Sequence, residues 1–153
     1  MLISNIKEFL KRTSKKKIIC LDMGKKNVGI AMSNANKTIS TPMKVLLRGK
    51  EFHCNLKKIL VDYEVSGILI GIPLNDDNKS NKMCQSIIDT SKNLDLYLRE
   101  NRIDQPIFFW DESYTSLQAD EVTINLFKSK KKQKKKLDKY AASVILNDFL
   151  DYI

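Results

Sequence analysis

The chain predicts an α/β domain built on a mixed five-stranded sheet with helices on both faces. Three observations lead there. Short apolar runs at 18–21, 66–72 and 106–110 read as strands buried on both sides, as in a parallel sheet. Segments of helical periodicity separate the later runs, the pattern of βαβ crossovers. Two further strands follow the first run closely, at 28–33 and 38–47, so the sheet opens with three antiparallel strands.

In order along the chain, Leu2, Ile3, Ile6, Phe9 and Leu10 recur at helical spacing, with Ser4 or Asn5 as a cap. Residues 1–17 therefore read as an amphipathic helix and the basic linker Lys15-Lys16-Lys17, and residues 18–153 as a single domain. One short apolar face is expected to pack on its own domain, although a membrane surface is its other possible partner. Gly24 marks the tight turn between the first two strands. Pro42 puts the third at an edge, because proline cannot donate to a ladder. Phe52, Leu56, Ile59 and Leu60 share one face of a helix over 51–61, and Met83, Ile87, Leu94 and Leu98 mark another over 82–101. A helix over 115–128, a lysine loop over 128–136 and a last helix over 137–153 complete the order β-β-β-α-β-α-β-α-α.

Charge narrows the function. Lys and Arg number 27 against 18 Asp and Glu, a net charge of +9 and a pI near 9.4. That excess favours a polyanion, and nucleic acid before membrane. No apolar run approaches the roughly 18 residues of a membrane span, and residues 1–17 lack the apolar core of a secretory signal. Cys20, Cys54 and Cys84 are odd in number and form no C-x-x-C, which argues against a zinc knuckle and fits a reducing cytoplasm. His53 stands alone, so a nucleophilic triad has little support.

Four segments carry the candidate chemistry. Asp22-Met23-Gly24-Lys25-Lys26 leaves the first strand, where Asp22 is either a functional carboxylate or a solvated turn residue. Gly71-Ile72-Pro73-Leu74-Asn75 leaves a buried strand toward the same edge, and Asn75 is a candidate phosphate contact. In Trp110-Asp111-Glu112-Ser113-Tyr114-Thr115, alternation lets only one of the adjacent acids enter a common site. Glu112 is favoured, with Asp111 supporting or capping. Asp138 shares a helical stripe with Ala142, Ile145, Phe149 and Tyr152, yet an N-cap role is a strong competitor. Distant carboxylates converging on one edge suit a hard cation, so Asp22, Glu112 and Asp138 are the candidate catalytic residues and ligands of Mg²⁺ or Mn²⁺. Lys25, Lys26, Asn75, Thr115, Lys130, Lys131, Lys132, Lys134, Lys135 and Lys136 are the candidate nucleic-acid contacts.

Together these segments resemble the YqgF/RuvX family, the branch of the RNase H fold that is similar to Holliday junction resolvases. The resemblance is carried by Asp22, Gly24, Lys26, Gly29, Ala31 and Ser33, then Gly71, Pro73, Leu74 and Asn75, then Asp111, Glu112, Thr115 and Ser116, and finally Asp138, Ala141 and Ala142. It covers residue 17 to the C-terminus. Ser113 departs from the family's usual Arg, and the loop after Asn75 lacks the usual glycine. The resemblance implies an RNase H-like nuclease using Mg²⁺ or Mn²⁺. Its expected task is to mature the 5′ end of pre-16S rRNA in the cytoplasm, working on ribosomal particles as a monomer or homodimer. A branched-DNA endonuclease and a non-catalytic RNA-binding module are the alternatives. An actin-like ATPase, which also uses Asp-x-Gly, needs two such domains.

Overall fold

The computed structural model describes residues 1–74, 81–112 and 130–153, with the helical backbone alone at 130–139. The elements are β1 (Leu2–Ile3), α1 (Ile6–Arg12), β2 (Lys17–Met23), β3 (Asn27–Ser33), β4 (Ser40–Leu47), α2 (Phe52–Asp62), β5 (Val65–Ile72), α3 (Asn81–Glu100), β6 (Ile107–Asp111) and α4 (Lys130–Tyr152). The helix expected over 115–128 lies outside the described residues.

One sheet carries all these strands in the order β1-β6-β5-β2-β3-β4. The β2–β3 and β3–β4 pairs are antiparallel, whereas β2–β5, β5–β6 and β1–β6 are parallel. The mixed sheet is thus as expected, but it has six strands, not five. Asn5 explains the extra one. Its side chain accepts from the amides of Lys7 and Glu8 at 2.8 and 3.4 Å, which starts α1 at Ile6. Leu2 and Ile3 therefore fall outside the helix and pair with Ile107 and Phe108. Pro42 sits on outer strand β4, and the register steps between Ile30 and Ala31, opposite Lys44 and Pro42.

Alternation along the buried strands divides the core. Ile19, Leu21, Met23, Ile68 and Ile70 face α2 and α3, joining Phe52, Leu56, Ile87 and Leu94. Ile18, Cys20, Ala31, Leu69 and Phe108 face the other way, joining Phe9, Ala142, Ile145, Leu146 and Phe149 from α1 and α4. Helices on both faces follow directly from this period of two. Phe9 is fully buried, its ring 5.5 Å from Phe108 and 6.1 Å from Phe149. The α1 apolar face is therefore spent on the core. The Lys37 ammonium adds a tie, donating to the carbonyls of Thr13 and, at 3.0 Å, Lys16.

The C-terminal helix corrects a second expectation. It spans Lys130–Tyr152, so the lysine tract from Lys130 onward is helix where a loop was expected, and residues 128 and 129 lie outside the described residues. Lysine is a good helix former, and each like-charge i,i+4 pair costs only about 0.2–0.5 kcal/mol. Asp138 is consequently interior to α4, which removes the N-cap reading. Among the described residues, no helix is long and apolar enough to cross a membrane.

Candidate active site

Parallel strands β2, β5 and β6 all end at one edge of the sheet, at Met23, Ile72 and Asp111. In open α/β sheets this carboxyl edge is where ligands bind. Asp22 stands there at the end of β2, opposite Gly29 of β3 and half-buried. It alternates with Leu21 and Met23, so it shares the α4 side of the sheet with Ile18 and Cys20.

Glu112 follows β6 and is 8% exposed. Its amide donates to the Ile72 carbonyl at 2.9 Å, extending the β5–β6 ladder by one bond and fixing its backbone. A Cβ placed on Gly71 would lie 3.2 Å from both Cδ and Oε2 of Glu112, and 2.9 Å from Cδ1 of Ile145 on α4. The glycine therefore leaves the space that the carboxyl and α4 use. Asp111, paired with Ile72 and half-buried, has the opposite parity and follows Phe109 by two residues, which packs toward α2 and α3.

Cys20, two residues before Asp22 on β2, lies on the same side of the sheet. Burial pushes its thiol well above the usual range, and the negative charges of Asp22 and Glu112 push it further the same way. Both acids therefore act on one sulfur atom, and the thiol stays protonated at neutral pH, a poor ligand for a metal. What remains near it is a pair of hard oxygen donors. Mg²⁺ is commonly held by one or two carboxylates plus substrate phosphate, so this donor set fits it. Among the described residues, no group of three or more His, Cys, Asp or Glu is placed to hold a metal ion. Position 138 falls by spacing on the α4 stripe of Ala142, Ile145 and Phe149, the residues this helix buries on the sheet.

The turn beside Asp22 exposes Lys25 and Lys26. It is closed by the Gly24 amide donating to the Asn27 carbonyl at 2.8 Å, and a Cβ at Gly24 would meet that same oxygen at 2.8 Å. Lys130, Lys131, Lys132, Lys134, Lys135 and Lys136 occupy the first two turns of α4. Asn75 and Thr115 lie outside the described residues. Sequence reasoning missed Arg48, whose guanidinium reaches the Gly24 carbonyl at 2.9 Å. A single arginine after an edge strand carries no pattern that points to this.

Comparison with known proteins agrees with the fold. The family model described as "RuvX: Holliday junction resolvase" matches residues 16–152. A Mycoplasma mobile protein named "Putative pre-16S rRNA nuclease" is 36% identical over 135 residues, covering 86% of this chain and 89% of its own. A Pelagibacter ubique protein of the same name is 30% identical over 146 residues, covering 94% and 93%. Among solved structures, T. thermophilus RuvC in complex with Holliday junction substrate superposes with a TM-score of 0.55 at 10% identity, covering 89% of this chain and 94% of that one. At that identity the likeness shows the fold alone, a resolvase-type α/β sheet.

Proposed function

The chain belongs to the RuvX family, and we propose that it is a metal-dependent nuclease that hydrolyses phosphodiester bonds at the carboxyl edge of β2, β5 and β6. The placement of Asp22 and Glu112 at one sheet edge, both on the α4 side and with the Glu112 carboxyl over Gly71, is the observation that carries this reading. Asp138 completes the proposed ligand set from α4. Mg²⁺ or Mn²⁺ held by these oxygens would stabilise the charge that develops on the attacked phosphodiester.

The protein's own groups do the rest. Asp22 comes from a strand paired on both sides, so its backbone position at the sheet edge is fixed. Glu112 is fixed by the hydrogen bond its backbone amide donates to the Ile72 carbonyl and by the space above Gly71. Lys25, Lys26 and the lysines of α4 are the proposed grip on the phosphate backbone, with Asn75 and Thr115 as further contacts. Such contacts position a substrate without reading its sequence. Selection of one RNA end then falls to shape or to a ribosomal partner.

The favoured substrate is pre-16S rRNA, by analogy with the relatives whose names carry it, and the favoured cut is at its 5′ end in the cytoplasm. Branched DNA is the second reading, favoured by the description of the family model. Symmetric cleavage of a four-way junction needs two active sites and hence a homodimer, whereas RNA end processing can proceed on a monomer.

The test compares wild type with Asp22→Asn and Glu112→Gln on a pre-16S rRNA 5′ precursor and on a four-way DNA junction, with Mg²⁺ and with EDTA. Loss of one charged ligand forfeits several kcal/mol of transition-state stabilisation, so cleavage should fall at least about a hundredfold in both variants. Retained cleavage in either variant, or in EDTA, would overturn the metal site. Metal-independent binding without cleavage by wild type would favour the RNA-binding module.

A further inference from the structure

Arg48 follows β4 and ties together the β2–β3 turn and α3. Its backbone amide donates to the Lys26 carbonyl at 2.8 Å, and its guanidinium donates to the Gly24 carbonyl at 2.9 Å. The carbonyls on either side of Lys25 are thus both held by one residue. The far side of the same guanidinium donates to the Ser86 hydroxyl at 2.8 Å and to Thr90 Oγ1, one turn apart on α3.

We propose that Arg48 is a positioning residue that clamps the β2–β3 turn to α3 and so fixes where Lys25 and Lys26 present their charge to a nucleic-acid backbone. The proposal deepens the nuclease reading and rests on it for its ligand. Within the turn itself, the bond from the Gly24 amide to the Asn27 carbonyl closes the loop but leaves its orientation over α3 to Arg48. Asp22 does not need the clamp, since it is held within the ladder opposite Gly29. Arginine suits the task because its planar fork reaches several acceptors at once, which a lysine point charge does not reproduce. Loss of the clamp should therefore weaken substrate binding and leave the chemical step largely intact.

The experiment uses the full chain and a fluorescein-labelled single-stranded RNA oligonucleotide. Arg48→Gln is compared with the double variant Ser86→Ala/Thr90→Ala, which removes both hydroxyl anchors on α3 without changing any charge and leaves only the longer bond to the Ser86 carbonyl at 3.4 Å. Kd should rise about three- to tenfold in both, the scale of one or two net hydrogen bonds. Amide hydrogen exchange at Gly24 and at residue 48, whose amides bond the Asn27 and Lys26 carbonyls, should quicken in both, and kcat at saturating substrate should stay within about twofold. Weak binding by Arg48→Gln alone would mean that Arg48 touches phosphate itself, which overturns the clamp. Wild-type Kd in both variants overturns it as well while leaving the nuclease reading intact. Wild-type protein that binds neither this RNA nor a four-way junction removes both together.

Discussion

Gly71 and Glu112 share one small volume: a Cβ on the glycine would approach the Glu112 carboxyl to 3.2 Å. It would also press on Ile145 of α4 at 2.9 Å, so one methyl group would disturb the candidate ligand and its covering helix together. Gly71→Ala is expected to cost about 1–3 kcal/mol of stability through overpacking. Cleavage should fall further than the fraction folded explains, with kcat reduced and RNA affinity near wild type. Chemical denaturation alongside single-turnover kinetics checks both halves. Unchanged kcat in the folded variant would show that Glu112 tolerates displacement and is not a reacting-site group.

Phe9 is the second test, because the sequence left its helix open between the domain and a membrane surface. Its ring is fully buried between Phe108 and Phe149. Gly67 accommodates the same helix, since a Cβ there would strike the Thr13 methyl and lie 3.1 Å from the Phe9 ring. Phe9→Ala should lower stability by about 3–5 kcal/mol, as large-to-small changes in well-packed cores do. Urea denaturation measures it. A loss below about 1 kcal/mol would mean that α1 contributes little to the core.

These residues show what the sequence could and could not convey. The strands β2, β5 and β6 were legible because burial on both faces leaves continuous apolar runs such as Ile18–Leu21. Two-residue β1 was not, since no periodicity exists over so short a segment, and Leu2 and Ile3 also fitted a helical stripe. The start of α4 was hidden because a lysine tract looks solvated whether it is loop or helix. At the site, strand-end acids were visible as types, but alternation alone did not choose between Asp111 and Glu112. Burial of Glu112 against Gly71 depends on a neighbour some forty residues away, and Arg48 binds carbonyls and hydroxyls from two distant segments. Neither relationship leaves a local pattern.

Lys130, Lys131 and Lys132 stand in the first turn of α4, where the backbone dipole is positive, and that turn holds no acid. Cations in that first turn typically oppose helix formation by about 0.3–1 kcal/mol each, a penalty that a bound polyanion would reverse. Changing Lys131, Lys132, Lys135 and Lys136 to Gln keeps helix propensity while removing charge. The variant should be slightly more stable than wild type and bind RNA more weakly at low salt. Its slope of log K against log salt should flatten by up to about 0.7 for each phosphate of single-stranded RNA that the variant no longer neutralises. Titrations at several KCl concentrations check this, and an unchanged slope would take the tract out of the nucleic-acid interface.

His53 supplies a pH test remote from the site. Its ring lies 5.6 Å from Phe52 and 5.1 Å from Tyr97, and burial lowers its pKa from the usual 6.5. The unfolded chain therefore binds a proton at a pH where the folded protein does not. Stability linked to this group is fully present above pH 6.5 and is lost as pH falls through the lowered folded value. His53→Gln abolishes the titration, so the variant should show a flatter fall in thermal midpoint between about pH 7.5 and 5 than wild type. The difference between the two curves isolates His53 from every other titrating group. A wild-type curve parallel to that of the variant would mean that the imidazole is as well solvated in the folded protein as in the unfolded chain.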